Sequence, residues 1–244
     1  YGSNHMLLPK IKADLIFYIY KSGWGLFFSL VVTVFSIYHI EMVKLNPLQL
    51  VLIGTVLELS CFLFEIPTGI VADFHSRKWS IVFGLLLMGI GFFLEGIFPV
   101  FWIVLGAQVV WGIGATFISG ADMAWLTDEL KDRSPDLVLM RGYQLEQLFF
   151  LIGIPISIVI ATVRINGPIL LSASLFILLG IFLATFMPEK NYQAISRQKR
   201  TTWRGMLGNF GKGLILARGM PLVFGLFLIT LISGFFSEGF DRLW

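Results

Sequence analysis

The sequence predicts an all-α membrane protein, in which a bundle of six transmembrane helices is followed by the start of a seventh. Hydrophobic residues make up 57% of its 244 residues and charged residues only 14%, whereas soluble domains carry about 25% charged residues. The mean hydropathy is accordingly high, at +0.84. Apolar runs recur along the chain at the length that a membrane-spanning helix needs, which is about 20 residues.

Short polar or proline-containing segments separate the apolar runs, so each run is predicted to form one span. The six complete spans are predicted at residues 17–40, 48–72, 79–98, 102–126, 145–163 and 169–187. Residues 6–189 are therefore predicted to form a six-helix transmembrane domain. Residues 190–220 are predicted to be a basic cytoplasmic connector, compatible with a helix on the membrane surface, and residues 221–244 a seventh helix that begins a second domain. Residues 1–5 resemble a cloning scar and are excluded.

Lysines and arginines are distributed unevenly between the two sides of the predicted bundle. Of the 18 in the chain, all but Lys44, Arg164 and Arg242 fall on the side that holds the N-terminus and the connector. Because cytoplasmic loops retain positive charge, the N-terminus is predicted to be cytoplasmic. We expect a multi-pass integral protein of the plasma (inner) membrane.

Several function classes lack their signatures in this sequence. No enzyme signature stands out, so no enzyme activity is predicted. The sequence contains no Gly-x-x-x-x-Gly-Lys-Ser/Thr phosphate loop, so ATP is not predicted to be the energy source. The single cysteine, Cys61, lies in an apolar run, and the three histidines are isolated in sequence, so neither a metal site nor a cofactor is predicted. The cations fall in loops between helices rather than in one patch, which argues against nucleic acid binding.

Residues 69–78, at the turn between the second and third spans, read Gly-Ile-Val-Ala-Asp-Phe-His-Ser-Arg-Lys. Asp73 would lie at the C-terminal end of its helix, where the helix dipole disfavours a carboxylate, so we expect it to have a cationic partner. The spacing resembles the Gly-x-Leu-Ala-Asp-x-x-Gly-Arg-Lys loop between helices 2 and 3 of the major facilitator superfamily, with Ser76 in place of a glycine. The resemblance implies that four residues form a cytoplasmic lock that holds one access state: Gly69, Asp73, Arg77 and Lys78.

The same resemblance implies the N-terminal half of a twelve-helix transporter, built from 3+3 inverted repeats. Its substrate site would lie between two six-helix halves near the membrane midplane, and we expect the gene to continue past Trp244. The implied partners are a small-molecule substrate, protons, membrane lipid and the missing C-terminal half. Residues 64–69, Phe-Glu-Ile-Pro-Thr-Gly, are similar to those of a drug-efflux branch. The alternative is a complete small membrane protein that dimerises to form its cavity.

Acidic residues inside the predicted spans are functional candidates, because a charge at the bilayer centre costs about 2.5–3.5 kcal/mol on insertion scales. Glu58 and Glu65 are two helical turns apart in the second span and therefore share a face. Both are candidates for binding protons or a cationic substrate, and the alternative for each is a structural hydrogen bond between helices. Asp122 in the fourth span is a third candidate, which either lines the cavity or pairs with a cation on the cytoplasmic side.

Three further residues are candidates for lining a cavity: Gln108, Trp111 and Glu146. Residues 108–115 read Gln-Val-Val-Trp-Gly-Ile-Gly-Ala and resemble the family pattern Arg-x-x-x-Gly-x-Gly-Ala, whose arginine is implicated in proton coupling. Gln108 replaces that arginine, which puts this coupling route in doubt. Trp111 offers a ring that can stack on a cationic or aromatic substrate. For Glu146, an interfacial ion pair with Arg141 or Arg133 is the alternative.

Two charged residues near the ends of spans are predicted to reach water at the membrane interface. Lys21, in the first span, is expected to extend its ammonium group to the surface along its aliphatic stem. Glu95, near the outer end of the third span, is expected to reach interfacial water. His39 is expected in a short polar hairpin between the first two spans.

The resemblance to the major facilitator superfamily implies a secondary active transporter that works by alternating access. Proton-coupled efflux of lipophilic or cationic drugs is the leading prediction, because of the acids in the second span and the resemblance to a drug-efflux branch. Uptake or facilitated diffusion of a small polar metabolite is the first alternative, and Gln108 favours it. A non-transporting membrane scaffold or receptor is the second alternative.

Overall fold

The computed structural model describes residues 12–131, 134–192, 220, 224–226 and 229. In this part of the chain the regular secondary structure is helical, and six helices are long and apolar enough to cross a membrane. The predicted all-α membrane fold with six spans is therefore confirmed. Most of the predicted connector and seventh helix lies outside the described residues, as do residues 1–5.

The helices follow one another through short connections. Their bounds are α1 Ala13–Ile37, α2 Pro47–Phe74, α3 Arg77–Ile97, α4 Phe101–Ile118, α5 Ala121–Glu129, α6 Asp136–Val163 and α7 Gly167–Phe186. The first span continues from α1 into a π-helical turn, Tyr38–Met42, and the fourth span consists of α4 and α5 together.

Local sequence explains why the chain turns sharply at both ends of α2. Asn46 caps its N-terminus, because the Asn46 side chain accepts a hydrogen bond from the Gln49 amide at 2.9 Å, and the Gln49 side chain accepts one from the Asn46 amide at 3.0 Å. Such a reciprocal box satisfies two backbone donors that a helix leaves unpaired. At the other end, the Ser76 side chain caps α3 by accepting a hydrogen bond from Trp79 N at 3.0 Å. The 69–78 loop is therefore a tight helix-to-helix turn.

The structure differs from the prediction in the fourth and fifth spans. The fourth span breaks at Gly120, whose φ of 71° lies in the left-handed region that glycine tolerates best. The fifth begins at Asp136 rather than at residue 145. Hydropathy marks only the part of a helix that lies in lipid, so the polar first turns of α6 were predicted to be a loop.

Helices α1 and α6 are in close contact. A Cβ atom built on Gly25 would lie only 2.0 Å from the backbone oxygen of Glu146, and one on Gly153 only 1.8 Å from Ser29 Oγ. Glycine, which has no side chain, lets helix backbones approach closely in membranes. The hydroxyl of Ser157 also donates to the backbone oxygen of Leu30 at 2.7 Å.

The six spans are covered to very different extents. In the most apolar window of each helix, 61% of α3 is buried, compared with 28% of α2 and 11% of α6. The uncovered face of α2 carries Phe62, which is 78% exposed, and that of α6 carries Val159, which is 67% exposed. Within the described residues, α3 is therefore central to the bundle, whereas α2 and α6 each present a face that other helices do not cover.

Candidate functional site

The 69–78 loop contains an ion pair that links α3 to α5. Arg77 Nη1 lies 2.6 Å from Asp128 Oδ2 and donates to the backbone oxygen of Ala124, also at 2.6 Å. Asp73, which was predicted to have a cationic partner, is farther from Arg77, with Oδ1 at 3.9 Å from Arg77 Nη2. Sequence reasoning missed Asp128, since it lies in a charged stretch that was predicted to be a loop.

The other two predicted lock residues play different parts in this structure. The Lys78 backbone amide donates to Glu189 Oε1 at 3.0 Å, and the Lys78 ammonium group lies 5.9 Å from the centroid of the Trp79 ring. A Cβ atom on Gly69 would meet nothing within 4 Å. Close packing therefore does not explain the glycine at this position.

The chain that leaves α7 is attached to the same end of the bundle. Glu189 Oε2 accepts a hydrogen bond from Ser76 Oγ at 2.6 Å, and Trp125 Nε1 donates to the backbone oxygen of Pro188 at 2.7 Å. The Tyr192 hydroxyl donates to the backbone oxygen of Asp73 at 2.8 Å. Burial and the nearby Glu189 carboxylate raise the pKa of Tyr192, which keeps its hydroxyl a donor. The residues after the sixth span thus touch the loop at several points.

A buried ion cluster joins α1, α5 and α6. Lys21 Nζ lies 2.9 Å from Asp122 Oδ2 and 3.2 Å from Glu146 Oε2, and the three side chains are 7%, 12% and 17% exposed. The Tyr20 hydroxyl also donates to Asp122 Oδ2, at 3.4 Å. Lys21 therefore pairs inside the bundle, and the prediction that it reaches the membrane surface is wrong. Of the two alternatives for Asp122, the geometry supports pairing with a cation.

Helix packing and aromatic rings place this lysine. Lys21 lies one turn before Gly25, where a Cβ atom would lie 2.0 Å from the backbone oxygen of Glu146. Its ammonium group is 4.6 Å from the centroid of the Tyr143 ring, a distance typical of a cation–π contact. Removing one partner from a buried ion pair leaves an uncompensated charge and is strongly destabilising. The cluster of Lys21, Asp122 and Glu146 is therefore well placed to hold three helices together.

The two acids of α2 are in a different environment, because both side chains are exposed. Ser119 Oγ donates a hydrogen bond to Glu65 Oε1 at 2.7 Å, which places this acid beside the break between α4 and α5. Glu58 lies two turns earlier on the same uncovered face of α2. The predicted common face is thus present, and it is open.

A second buried polar cluster lies at the end of the bundle away from Arg77. His39 Nε2 is 2.5 Å from Glu95 Oε1, and Gln108 Nε2 donates to Glu95 Oε2 at 3.0 Å. His39 and Glu95 are each 1% exposed and Gln108 is 0% exposed, so the predictions of a hairpin His39 and a water-exposed Glu95 are wrong. The π-helical turn keeps His39 within the first span. The three residues lie far apart in sequence on different helices, so no local sequence pattern indicates that they are in contact.

The predicted cavity residue Trp111 packs in the aromatic core of the bundle, one turn after Gln108. Its ring stacks on Phe35 with centroids 5.7 Å apart and meets Phe92 edge-on at 4.9 Å. Only 9% of Trp111 is exposed. In the described part of the chain, no group of three or more histidines, cysteines and acids is placed to hold a metal ion.

Residues 17–240 match the family model of the Major Facilitator Superfamily. The chain belongs to this superfamily. The match extends across all six spans and confirms the family that the 69–78 loop predicted. It also confirms that the chain belongs to a family of membrane transporters and not of enzymes.

Individual relatives within the superfamily are distant in sequence. The chain is 25% identical over 239 residues to YxaM of Bacillus subtilis (strain 168), an uncharacterized MFS-type transporter, and the match covers 94% of this chain and 57% of YxaM. A mutant of the nucleoside transporter NupG superposes with a TM-score of 0.70 at 15% identity, over 87% of this chain and 53% of NupG. A second NupG structure gives 0.64 at the same identity. The chain therefore spans a little over half the length of these relatives and shares the fold of NupG.

Proposed function

We propose that this chain is the N-terminal half of a secondary active transporter that works by alternating access. It spans 57% of YxaM and 53% of NupG, which supports a second half of similar size. In this proposal the second half covers the open faces of α2 and α6, and a substrate cavity lies between the halves near the midplane.

The observation that carries this proposal is the position of Glu58 and Glu65. Both acids lie on the uncovered face of α2, a helix long and apolar enough to span the membrane. Lipid is a poor environment for this face, since each charge costs about 2.5–3.5 kcal/mol at the bilayer centre. A water-filled cavity removes that cost, and in such a cavity the acids can bind protons or a cationic substrate.

We infer that the transported molecules are lipophilic, cationic drugs, exported in exchange for protons. Carboxylates attract cations, and the apolar surface around them, including Phe62, suits a lipophilic body. The asymmetry of lysine and arginine supports a cytoplasmic N-terminus in the plasma (inner) membrane. The cytoplasmic side would then hold the lock, which consists of Gly69, Asp73, Arg77 and Lys78. On that side Arg77 of α3 forms its ion pair with Asp128 of α5.

The test uses inside-out vesicles that contain the full-length gene product, with this 244-residue chain in parallel vesicles as the control. A pH gradient is imposed, and its collapse is followed as a panel of lipophilic cations, including ethidium, is added. We expect collapse with the full-length protein only. An intact gradient across the whole panel would contradict proton-driven export.

A second candidate is uptake of a small polar molecule, favoured by two observations. NupG, which shares the fold, is named as a nucleoside transporter, and the neutral Gln108 stands where the family motif has an arginine. Uptake of radiolabelled uridine by right-side-out vesicles distinguishes the candidates. Saturable uptake of uridine without ethidium export would favour this second function.

A further inference from the structure

We propose that α5 is a hinged segment, which rotates about Gly120 when a cationic ligand occupies Glu65. The rotation carries the occupancy of the open face of α2 to the 69–78 loop, because α5 reaches that loop through Asp128. This inference deepens the proposed function and rests on it, since it takes Glu65 to face a substrate cavity.

Gly120 separates two helices within the fourth span. At the end of α4, Ser119 N donates to the backbone oxygen of Ala115 at 3.0 Å, and α5 begins with Ala124 N donating to the backbone oxygen of Gly120 at 3.1 Å. Gly120 has a φ of 71°, and a Cβ atom built on it would meet nothing within 4 Å. The backbone conformation therefore explains this glycine, and packing does not. The angle between the helices can change here while the hydrogen bonds inside each helix are kept.

Lys21 contacts α5 close to the hinge and has a second carboxylate beside it. Its ammonium group is 2.9 Å from Asp122 of α5 and 3.2 Å from Glu146 of α6. Because a close backbone contact at Gly25 holds α1 against α6, Glu146 remains beside Lys21 when α5 moves. Asp122 follows Gly120 by only two positions, so a rotation there displaces it little. Lys21 thus stays paired, and no buried charge is left without a partner.

The far end of α5 is held by contacts that a rotation changes most. Arg77 Nη1 is 2.6 Å from Asp128 Oδ2, and Asp73 Oδ1, on α2, is 3.9 Å from Arg77 Nη2. Two backbone amides after α7 donate to Glu129 Oε1, at 2.7 and 3.0 Å. These are polar contacts of partly exposed groups, which water can replace. Trp125, in the middle of α5, is only 2% exposed, so the expected motion is a rotation of α5 and not its release from the bundle.

A single hydrogen bond connects the hinge to the open face of α2. Ser119 Oγ donates to Glu65 Oε1 at 2.7 Å, and Ser119 directly precedes Gly120. Hydrogen bonds to an ionised carboxylate are about twice as strong as neutral ones, so a cationic ligand that neutralises Glu65 weakens this bond. A ligand shifts a conformational equilibrium only through contacts that differ between the two states. The bond from Ser119 to Glu65 is such a contact.

The first test measures the bend between α4 and α5 in the full-length protein by pulsed electron paramagnetic resonance. Spin labels are attached at Trp102→Cys and Thr127→Cys, two exposed positions near the ends of the fourth span, in a background without other cysteines. In a straight helix, Cα atoms at these positions are about 37 Å apart. We expect Gly120→Ala to shift the distance toward this value, because alanine disfavours a positive φ. Gly120→Asn is the matched control and should keep the wild-type distance, since asparagine also adds a side chain but tolerates a positive φ.

The same labels test the hydrogen bond at the hinge. Ser119→Ala removes the donor to Glu65 and should shift the distance distribution, whereas Ser119→Thr retains a hydroxyl and should match the wild type. Identical distributions in the wild type, Gly120→Ala and Ser119→Ala would overturn the hinge. An equal shift in Gly120→Ala and Gly120→Asn would also overturn it. If Gly120→Ala does not insert into the membrane, the two Ser119 variants decide.

Addition of ethidium separates this inference from the proposed function. We expect ethidium to shift the distance in the wild type and in Gly120→Asn but not in Gly120→Ala, a difference that a merely structural glycine would not produce. A wild type that exports ethidium without any change in this distance would overturn the inference. If the wild type neither binds nor exports ethidium, the proposed function fails. The variants of Ser119 and Gly120, which need no ligand, then decide whether α5 is hinged.

Discussion

Two pairs of acids in the membrane-spanning helices have opposite surroundings. Asp122 and Glu146 are largely buried and share Lys21, whereas Glu58 and Glu65 are exposed on the open face of α2. All four are carboxylates inside apolar sequence, and their spacing alone does not separate them. An acid in a membrane-spanning helix can therefore either pair with a cation inside the bundle or lie on an open face. Its contacts in the structure distinguish the two cases.

The buried pair contributes to the bundle, and the open pair is free for another role. Lys21 contacts acids from two other helices, so the cluster helps to hold α1, α5 and α6 together. The acids of α2 contribute little to packing within the described residues. We therefore expect substitutions in the buried cluster to change stability, and substitutions of Glu58 or Glu65 to change transport.

The largest loss of stability is expected for Lys21→Met. Methionine has a similar length but leaves two largely buried carboxylates without their cation, which costs about 3–5 kcal/mol. Unfolding in mixed micelles by titration with sodium dodecyl sulfate measures the free energy of unfolding. Lys190→Met, at an exposed lysine, is the control and should be near neutral. An equal stability for both variants would show that the cluster is not structural.

The contact that positions the cluster is tested by Gly25→Ala. The added methyl group would lie 2.0 Å from the Glu146 backbone oxygen and must separate α1 from α6, with an expected loss of about 1–3 kcal/mol. Gly106→Ala is the matched control, since a Cβ atom there meets nothing within 4 Å. The same unfolding titration should leave this control unchanged. Equal losses in the two variants would argue against close packing of α1 on α6.

At the 69–78 loop, Asp128→Asn and Asp73→Asn should separate stability from transport. Asp128 is 2.6 Å from Arg77 and Asp73 is 3.9 Å away, so we expect losses of about 1 and less than about 0.5 kcal/mol for these partly exposed pairs. If Asp73 belongs to the lock, Asp73→Asn should nevertheless abolish ethidium export while membrane insertion is unchanged. Export at the wild-type rate would remove Asp73 from the lock.

The smallest effect on stability is expected for Glu58→Gln. An exposed side chain outside the packed bundle should change the free energy of unfolding by no more than about 0.5 kcal/mol. Export driven by a pH gradient should fall to the level of vesicles without protein, because glutamine neither binds a proton nor attracts a cation. Glu58→Asp should retain part of the activity. A stable variant with normal export would assign Glu58 no role.

The sequence was sufficient for the fold because lipid imposes a strong constraint on it. A run that crosses a bilayer must be apolar and helical, so the six spans and the family could be predicted from hydropathy and one loop motif. The break at Gly120 and the early start of α6 at Asp136 could not, since neither changes the hydropathy of the membrane-embedded part.

The partners of the polar residues were much harder to predict than the spans. Lys21 and Asp122 are 101 positions apart in sequence, and His39 and Glu95 are 56 apart. Their contacts depend on how α1 packs and on the π-helical turn, which a single sequence does not encode in a local pattern. Glu58 and Glu65 could be predicted to share a face because their relation lies within one helix.

The most direct test of the account is whether water reaches position 58 of α2. In a Cys61→Ser background, Glu58→Cys and the neighbouring Leu57→Cys of the full-length protein are treated with a membrane-impermeant maleimide. Leu57 is 7% exposed and packs inside the bundle, so it is the control for reagent access. We predict labelling at position 58 and protection at position 57. Equal protection at both positions would contradict a transport cavity on this face of α2.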